Sequence, residues 1–211
     1  MIITSIQRQK KRRHRVSIFL DGEFAFGMND EAVFRFGLCK GMTLDDGLRK
    51  EIEEFDNAVQ AKRNAELFIA VRMRSEREVR QRLHRQGFPD DVIEEVITTF
   101  RRVNLLNDAE FARMWVRDRL ALRPRSASML RRELRAKGVT EEVADQVLSD
   151  AFEETEEADV ARALAESYCR KHPNIEGEVL KRRLAGFLQR KGYAPSLVYD
   201  VVKAAVDKRS S

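Results

Sequence analysis

The stretch SEREVRQRLHRQGFPDDVIEEVI, residues 75–97, holds two short helical patterns separated by a glycine. Val79 and Leu83 stand eight and four residues before Gly87, so they share one face of a helix. Gly87 stands where helices commonly end in the left-handed conformation, which costs glycine little. Apolar residues five and nine places after it form the buried stripe of a second helix. The stretch therefore predicts two consecutive helices joined by a tight glycine turn.

The same pattern recurs around Gly138 and Gly192, with apolar residues at the equivalent places of each copy. Another helix is expected before each pair, at residues 59–73, 108–122 and 158–169. We therefore predict a mostly α-helical fold in which three tandem three-helix repeats form an elongated curved rod. The expected repeats are residues 58–105, 106–155 and 156–211.

The N-terminal region, residues 1–57, has a different pattern. A basic arm, residues 8–15, precedes two β-prone runs that flank Asp21-Gly22, a dipeptide typical of hairpin turns. A short helix is expected from Asp30 to Phe36, where Gly37 would end it. An acidic helix follows. We predict a basic arm, a β-hairpin and short helices here.

The composition limits the class of protein. The chain has 211 residues with 40 Lys and Arg against 35 Asp and Glu, and the net charge of +5 weakly favours a polyanionic partner. Cys39 and Cys169 belong to no metal or disulfide pattern. No apolar run approaches the length of a membrane span, and the N-terminus does not resemble a signal peptide. We expect a cytoplasmic protein that does not associate with membranes.

Motifs for catalysis are missing from the sequence. It contains no phosphate-binding loop of the Walker type and no G-x-S-x-G motif. His14, His84 and His172 are isolated and lack metal-ligand spacing. We therefore predict a protein that is not an enzyme and that uses no metal or cofactor.

Arginine clusters are the positive signal. Two interpretations are possible. In the first, the arginines contact a polyanion, which is either a phosphate backbone or an acidic protein surface. In the second, they lie on solvated helix faces and pair with local acids. For the cluster as a whole we favour polyanion contact. The predicted contact residues are Arg77, Arg80, Arg85, Arg117, Arg119, Arg123, Arg125, Arg131, Arg132, Arg135 and Lys137.

Two details of this cluster can be tested in the structure. We expect Arg119, Arg125 and Arg132 to be exposed, so that their exchange for Glu leaves the fold nearly unchanged. Trp115 lies on the apolar side of its helix, and we interpret it as a packing residue. The sequence identifies no exposed aromatic residue beside a cation on which a base could stack.

Several motifs resemble those of the RecX regulatory proteins. Residues 75–97 match that family's S-E-x-E-[LV]-x-x-x-L, G-[FY] and [VI]-I-x-x-[VI] pattern. NDAEFA, residues 107–112, resembles its D-D-x-x-F-A signature, and RELRAKGV, residues 132–139, resembles its R-x-E-L-x-x-K-G-[IV] signature. The likeness covers residues 58–211. It departs at Asn107, and at residues 123–126 (RPRS), where the family commonly has a glycine-rich loop.

The resemblance implies a function. RecX proteins bind the RecA recombinase, lodge in the groove of its filament on single-stranded DNA, and impede filament growth, ATP hydrolysis and strand exchange. A monomer that modulates recombinational repair and the SOS response is therefore expected. The alternative is a stand-alone DNA-binding protein resembling helix-turn-helix modules. In that case helices 76–86 and 128–137 would enter DNA grooves and the arm at 8–15 would follow phosphates.

Overall fold

The computed structural model describes residues 1–10, 14–153 and 156–210, without the side chain of Ser210. Lys11, Arg12 and Arg13 of the expected basic arm and the expected repeat boundary at Thr155 lie outside these residues. The chain forms two compact units. One comprises Met1–Met73 and Val79–Leu106, and the other comprises Arg74–Glu78 and Asn107–Ser211.

The first unit begins with an antiparallel sheet in the order β1 (Ile3–Arg8), β2 (Arg15–Leu20) and β3 (Glu23–Asn29). The predicted hairpin is confirmed as β2 and β3, and its turn residues Asp21 and Gly22 have φ of 48° and 93°. Strand β1 is an addition to the predicted hairpin. Arg8 ends this strand and Arg15 begins β2, so both ends of the expected basic arm are strand residues.

A buried carboxylate ties this sheet to the helix beside it. Asp56 accepts hydrogen bonds from the backbone N–H of Asn29 at 2.6 Å and from its side-chain amide at 2.9 Å. The guanidinium of Arg15 lies 3.7 Å from the same carboxylate. Asn29 and Arg15 together offset the cost of burying the Asp56 charge.

The short helix α1 (Asp30–Arg35) is followed by Gly37 with φ of 58°, as predicted.

Helix α2 (Asp46–Val71) covers both the expected acidic helix and the expected first helix of repeat 1. No glycine or proline interrupts the chain between Leu48 and Val71, so nothing ends the helix at residue 57, where we expected the N-terminal region to end. Asp45 caps its start by accepting a hydrogen bond from the N–H of Leu48 at 2.8 Å. The N-terminal region and the first repeat therefore share one helix.

The remaining helices confirm the three-helix repeats. They are α3 (Glu76–Arg85) and α4 (Asp90–Arg102), then α5 (Asp108–Leu122), α6 (Ala127–Ala136) and α7 (Glu141–Glu153), then α8 (Glu157–Lys171), α9 (Gly177–Arg190) and α10 (Pro195–Ser210). The turn glycines Gly87, Gly138 and Gly192 have φ of 84°, 89° and 91°. Each repeat encloses its own apolar core, built from the predicted periodic residues.

Within the second unit, the start of α6 joins the glycine turn of the third repeat. The N–H of Ser126 donates to the backbone carbonyl of Lys191 at 3.1 Å. The hydroxyl of Ser128 donates to the backbone carbonyl of Gly192 at 3.1 Å. The N–H of Ala127 donates to the carboxylate of Glu157 at 2.9 Å. These bonds satisfy donors that a helix start leaves unpaired, so they cap α6 while they hold two repeats together.

Candidate functional site

The arginines of the middle repeat converge on one carboxylate, that of Glu133 on α6. Arg119 Nε donates to Glu133 Oε2 at 2.7 Å, and the indole N–H of Trp115 donates to the same oxygen at 2.9 Å. Arg125 Nε lies 3.0 Å from Glu133 Oε1 without the alignment of a hydrogen bond, so that contact is electrostatic. Glu133 therefore neutralises part of the predicted cationic cluster.

This arrangement corrects our expectation that Arg119 and Arg125 are exposed. Their side chains are 28% and 32% exposed. The guanidinium of Arg119 lies 4.2 Å from the centre of the Trp115 ring, which stacks on the buried Phe111 at 5.8 Å between ring centres. Replacing either arginine by Glu would place two carboxylates side by side, so these positions are unsuitable for a clean test of binding.

Lys137 and Arg77 also have structural contacts within the second unit. Lys137 Nζ lies 2.7 Å from Glu78 and 5.0 Å from the centre of the Trp115 ring. The guanidinium of Arg77 donates to the backbone carbonyl of Arg135 at 3.5 Å. Both cations therefore connect the residues around Ser75 to the end of α6.

Other predicted contact residues form ion pairs between consecutive helices of a repeat. In the first repeat Arg80 pairs with Glu94, and this hydrogen bond together with the charge of Arg80 lowers the pKa of the Glu94 carboxyl. In the middle repeat Arg131 pairs with Asp145 at 2.6 Å, and Arg135 pairs with Glu141 at 3.0 Å. Arg85 donates to the backbone carbonyl of Gln81 at 3.1 Å. For these residues the interpretation as locally paired charges fits.

Three predicted contact residues of the middle repeat have exposed side chains and no ion-pair partner among residues 1–10, 14–153 and 156–210. They are Arg117 on α5, Arg123 at its C-terminal end and Arg132 on α6. Lys191, which the sequence did not single out, is a further cation nearby; it is half-buried, and its ammonium lies 5.6 Å from the centre of the Phe187 ring. Burial lowers the pKa of the Lys191 ammonium, and the positive charges of Arg125 and Arg123 lower it further. Arg123, Arg125 and Lys191 therefore lie close together where the loop between α5 and α6 meets the third repeat.

Metal-binding groups and membrane-spanning helices are both absent from the described part of the chain. It contains no group of three or more His, Cys, Asp and Glu side chains placed to hold a metal ion. No helix within that part is both long and apolar enough to cross a membrane.

A small antiparallel sheet followed along the chain by three three-helix repeats, with unpaired cations on the middle repeat, defines a helical-repeat protein with a cationic middle repeat. Four family models match the chain. They are the N-terminal domain of the regulatory protein RecX at residues 1–45, and the first, second and third three-helix domains of RecX at residues 61–99, 107–148 and 154–202. The chain belongs to the RecX family of regulatory proteins.

Individual relatives agree with this assignment. The regulatory protein RecX of Bacillus velezensis is 35% identical over 98% of this chain and 76% of its own length. That of Clostridium acetobutylicum is 30% identical over 95% of this chain and 94% of its own. A crystal structure of regulatory protein RecX superposes with a TM-score of 0.69 at 27% identity, covering 96% of this chain and 98% of that one.

Proposed function

We propose that the protein binds the RecA filament on single-stranded DNA and restrains it. It impedes filament growth, ATP hydrolysis and strand exchange, and so modulates recombinational repair and the SOS response. It does so by binding alone, as a cytoplasmic monomer without catalysis or a cofactor. Membership of a family whose relatives are named regulatory protein RecX supports this function.

The observation that carries the proposal is the set of unpaired cations on the middle repeat. An arginine that already holds a carboxylate must exchange that partner for a phosphate, which offsets part of the gain even where the exposed pair contributes less than about 1 kcal/mol. Arg117, Arg123 and Arg132 are exposed and have no such partner among the described residues. Their planar guanidinium groups can bind a phosphate or a carboxylate through two parallel hydrogen bonds. We therefore assign the polyanion contact to these three rather than to the whole predicted cluster.

The mechanism is occlusion. Several weak contacts along a filament add up, because each later contact forms at the high effective concentration that the first one creates. A bound chain of helical repeats obstructs the approach of a second DNA strand and resists the movements that accompany ATP turnover in the filament. None of these effects requires a reaction at the bound protein.

The experiment compares two triple variants of the full chain. In one, Arg117, Arg123 and Arg132 are replaced by Glu. In the matched control, the exposed residues Arg170, Arg183 and Arg190 of the third repeat receive the same change. We expect the first variant to bind RecA filaments on single-stranded DNA more than tenfold more weakly, about 1.4 kcal/mol, while the control stays within about threefold of the unmodified protein. Equal binding by the two variants would contradict the assignment.

The alternative of a stand-alone DNA-binding protein has less support in the contacts. Helix α6 would have to enter a groove, but Arg132 is its one arginine without an ion-pair partner among the described residues, because Arg131 and Arg135 hold carboxylates of α7. Binding to DNA without RecA, measured at several salt concentrations, separates the two functions. A dedicated DNA-binding protein binds tightly and with a steep dependence on salt, because it releases counterions from the DNA.

A further inference from the structure

The third repeat differs from the other two at four positions between its last two helices. In the first two repeats, the residue seven places before the turn glycine pairs with the residue seven places after it. These pairs are Arg80–Glu94 and Arg131–Asp145. The residues three places before and after the glycine also meet, as His84–Asp90 at 3.3 Å and Arg135–Glu141 at 3.0 Å. Two polar contacts thus cross between these helices in each of the first two repeats.

All four charged positions are lost in the third repeat. The outer pair becomes Ala185 and Tyr199, and the inner pair becomes Gln189 and Pro195. These four residues line one groove between α9 and α10, with a volume of about 640 Å³. With neutral residues at these positions of the described chain, no ion pair crosses this groove at the four equivalent places.

Tyr199 is the prominent group in this groove. Its side chain is 68% exposed, whereas the apolar floor residues Val198 and Val202 are only 3% and 7% exposed. The floor therefore offers little apolar surface, and Tyr199 is the one groove residue among the exposed large apolar side chains of the described part of the chain. An exposed tyrosine at the edge of a groove is a stacking surface, because its ring has an accessible π-face.

Charged side chains of both signs line the groove, with Asp207 among them. Arg182 and Lys203 line the groove, are exposed, and have no ion-pair partner within the described part of the chain. Lys181 is different, because it pairs with Glu178 at 2.6 Å. An exposed aromatic ring in one groove with two unpaired cations is complementary to a nucleotide, whose base stacks while its phosphates meet positive charge.

We propose that this groove binds an unpaired base of single-stranded nucleic acid, stacked on Tyr199, with the flanking phosphates at Arg182 and Lys203. This site deepens the proposed function, because it gives the protein a direct contact to the DNA of the filament. It is separate from the cationic cluster of the middle repeat, and binding to it requires no recombinase.

The experiment measures binding of the full chain to a fluorescently labelled oligothymidylate of about twenty nucleotides, without RecA. Fluorescence anisotropy at low salt gives the dissociation constant. We expect Tyr199→Ala to weaken binding at least fivefold, about 1 kcal/mol, because the stacked base loses its platform. Tyr199→Phe keeps the ring and stays within about twofold of the unmodified protein.

Two controls isolate the stacking contact. The first is a strand of the same length and charge that lacks its bases, which Tyr199→Ala and the unmodified chain should bind equally. The second is Phe34→Ala, which removes an aromatic side chain that is 80% exposed but belongs to the first unit, and which should leave oligothymidylate binding unchanged. Thermal melting checks that each variant is folded.

Several results would overturn the proposal. One is no measurable binding of oligothymidylate by the unmodified chain. Another is a loss in Tyr199→Ala that is equally large on the base-free strand. A third is unchanged oligothymidylate binding in Tyr199→Ala together with weaker binding to RecA filaments, which would identify the groove as a protein contact instead. Failure of the RecA experiment on the middle repeat would leave these outcomes unaffected, because no recombinase is present in this assay.

Discussion

Gly138 and Gly87 occupy equivalent turns and have nearly the same backbone conformation, with φ of 89° and 84°, but their surroundings differ. A Cβ atom added at Gly138 would lie 2.5 Å from Cβ of Arg77, whereas one added at Gly87 would meet nothing within 4 Å. The sequence predicts the positive φ at both positions from the periodic pattern. It cannot predict the close approach at Gly138, because Arg77 lies in a different repeat.

This difference gives a prediction for two matched variants. Gly87→Ala should lower the free energy of unfolding by about 1–3 kcal/mol, because alanine is strained at positive φ. Gly138→Ala should lower the free energy of unfolding by about 1 kcal/mol more than Gly87→Ala does, because the new methyl group also displaces Arg77. Gly138→Val should be worse still. Urea unfolding followed by circular dichroism provides the comparison, and equal losses in the two alanine variants would mean that Arg77 does not pack on this turn.

Tyr193 follows the third turn glycine and is 3% exposed, yet its hydroxyl finds no hydrogen-bond partner among the described residues. Burial raises the pKa of this phenol well above its usual value, and the charge of Glu157 raises it further. We expect Tyr193→Phe to keep or raise the melting temperature, because it removes an unpaired buried polar group while the ring stays in place. A clear drop in the melting temperature would show that the hydroxyl has a partner in solution.

At the scale of elements, Glu133 holds α5, the following loop and α6 together. Glu133→Ala should destabilise the chain by about 1–3 kcal/mol, because the indole N–H of Trp115 and the half-buried Arg119 lose their partner. The matched control is Glu141→Ala in the same repeat, whose carboxylate is 63% exposed and pairs with Arg135. That change should cost less than about 1 kcal/mol, as exposed ion pairs do. Thermal melting of both variants at one pH tests the difference, and a similar loss in the two would argue against a structural role for Glu133.

The helices themselves were predictable because their signals are local. Apolar periodicity and a glycine turn lie within about twenty residues of one another, and the expected range for α5 coincides with Asp108–Leu122. Strand β1 is not part of the prediction, because the hairpin signal at Asp21-Gly22 identifies only the two strands that flank the turn. The continuity of α2 was missed because a change from acidic to mixed composition resembles a boundary, although the backbone has no reason to end there.

The candidate site was predictable only in outline. The sequence indicates that arginines crowd the middle repeat, but pairing depends on which side chains meet after folding. Glu133 lies 14 residues from Arg119 along the chain and reaches it from the next helix. One further signal is present in the sequence. Residues seven places before and after the turn glycines have opposite charges in the first two repeats, and in the third repeat Ala185 and Tyr199 stand at this outer pair of positions.

For the whole molecule, the net charge of +5 does not show which cations are free to bind a polyanion. Most of the predicted contact arginines hold a carboxylate or a carbonyl, so they contribute to the fold rather than to a free cationic surface. The unpaired cations Arg117, Arg123 and Arg132 are the ones that an approaching polyanion meets without displacing a partner. The strength of binding to the filament should therefore depend on a few residues and fall as salt screens them.

The function as a whole is tested by ATP turnover. We expect the purified protein to show no ATPase activity of its own, because it lacks a phosphate-binding loop, and to lower the ATPase rate of RecA on single-stranded DNA in proportion to the occupied filament. The Glu variant of Arg117, Arg123 and Arg132 should need more than tenfold higher concentration for the same inhibition, since inhibition follows occupancy. The third-repeat control should inhibit like the unmodified protein. An unchanged RecA ATPase rate at a concentration that saturates filament binding would separate binding from restraint and would exclude occlusion as the mechanism.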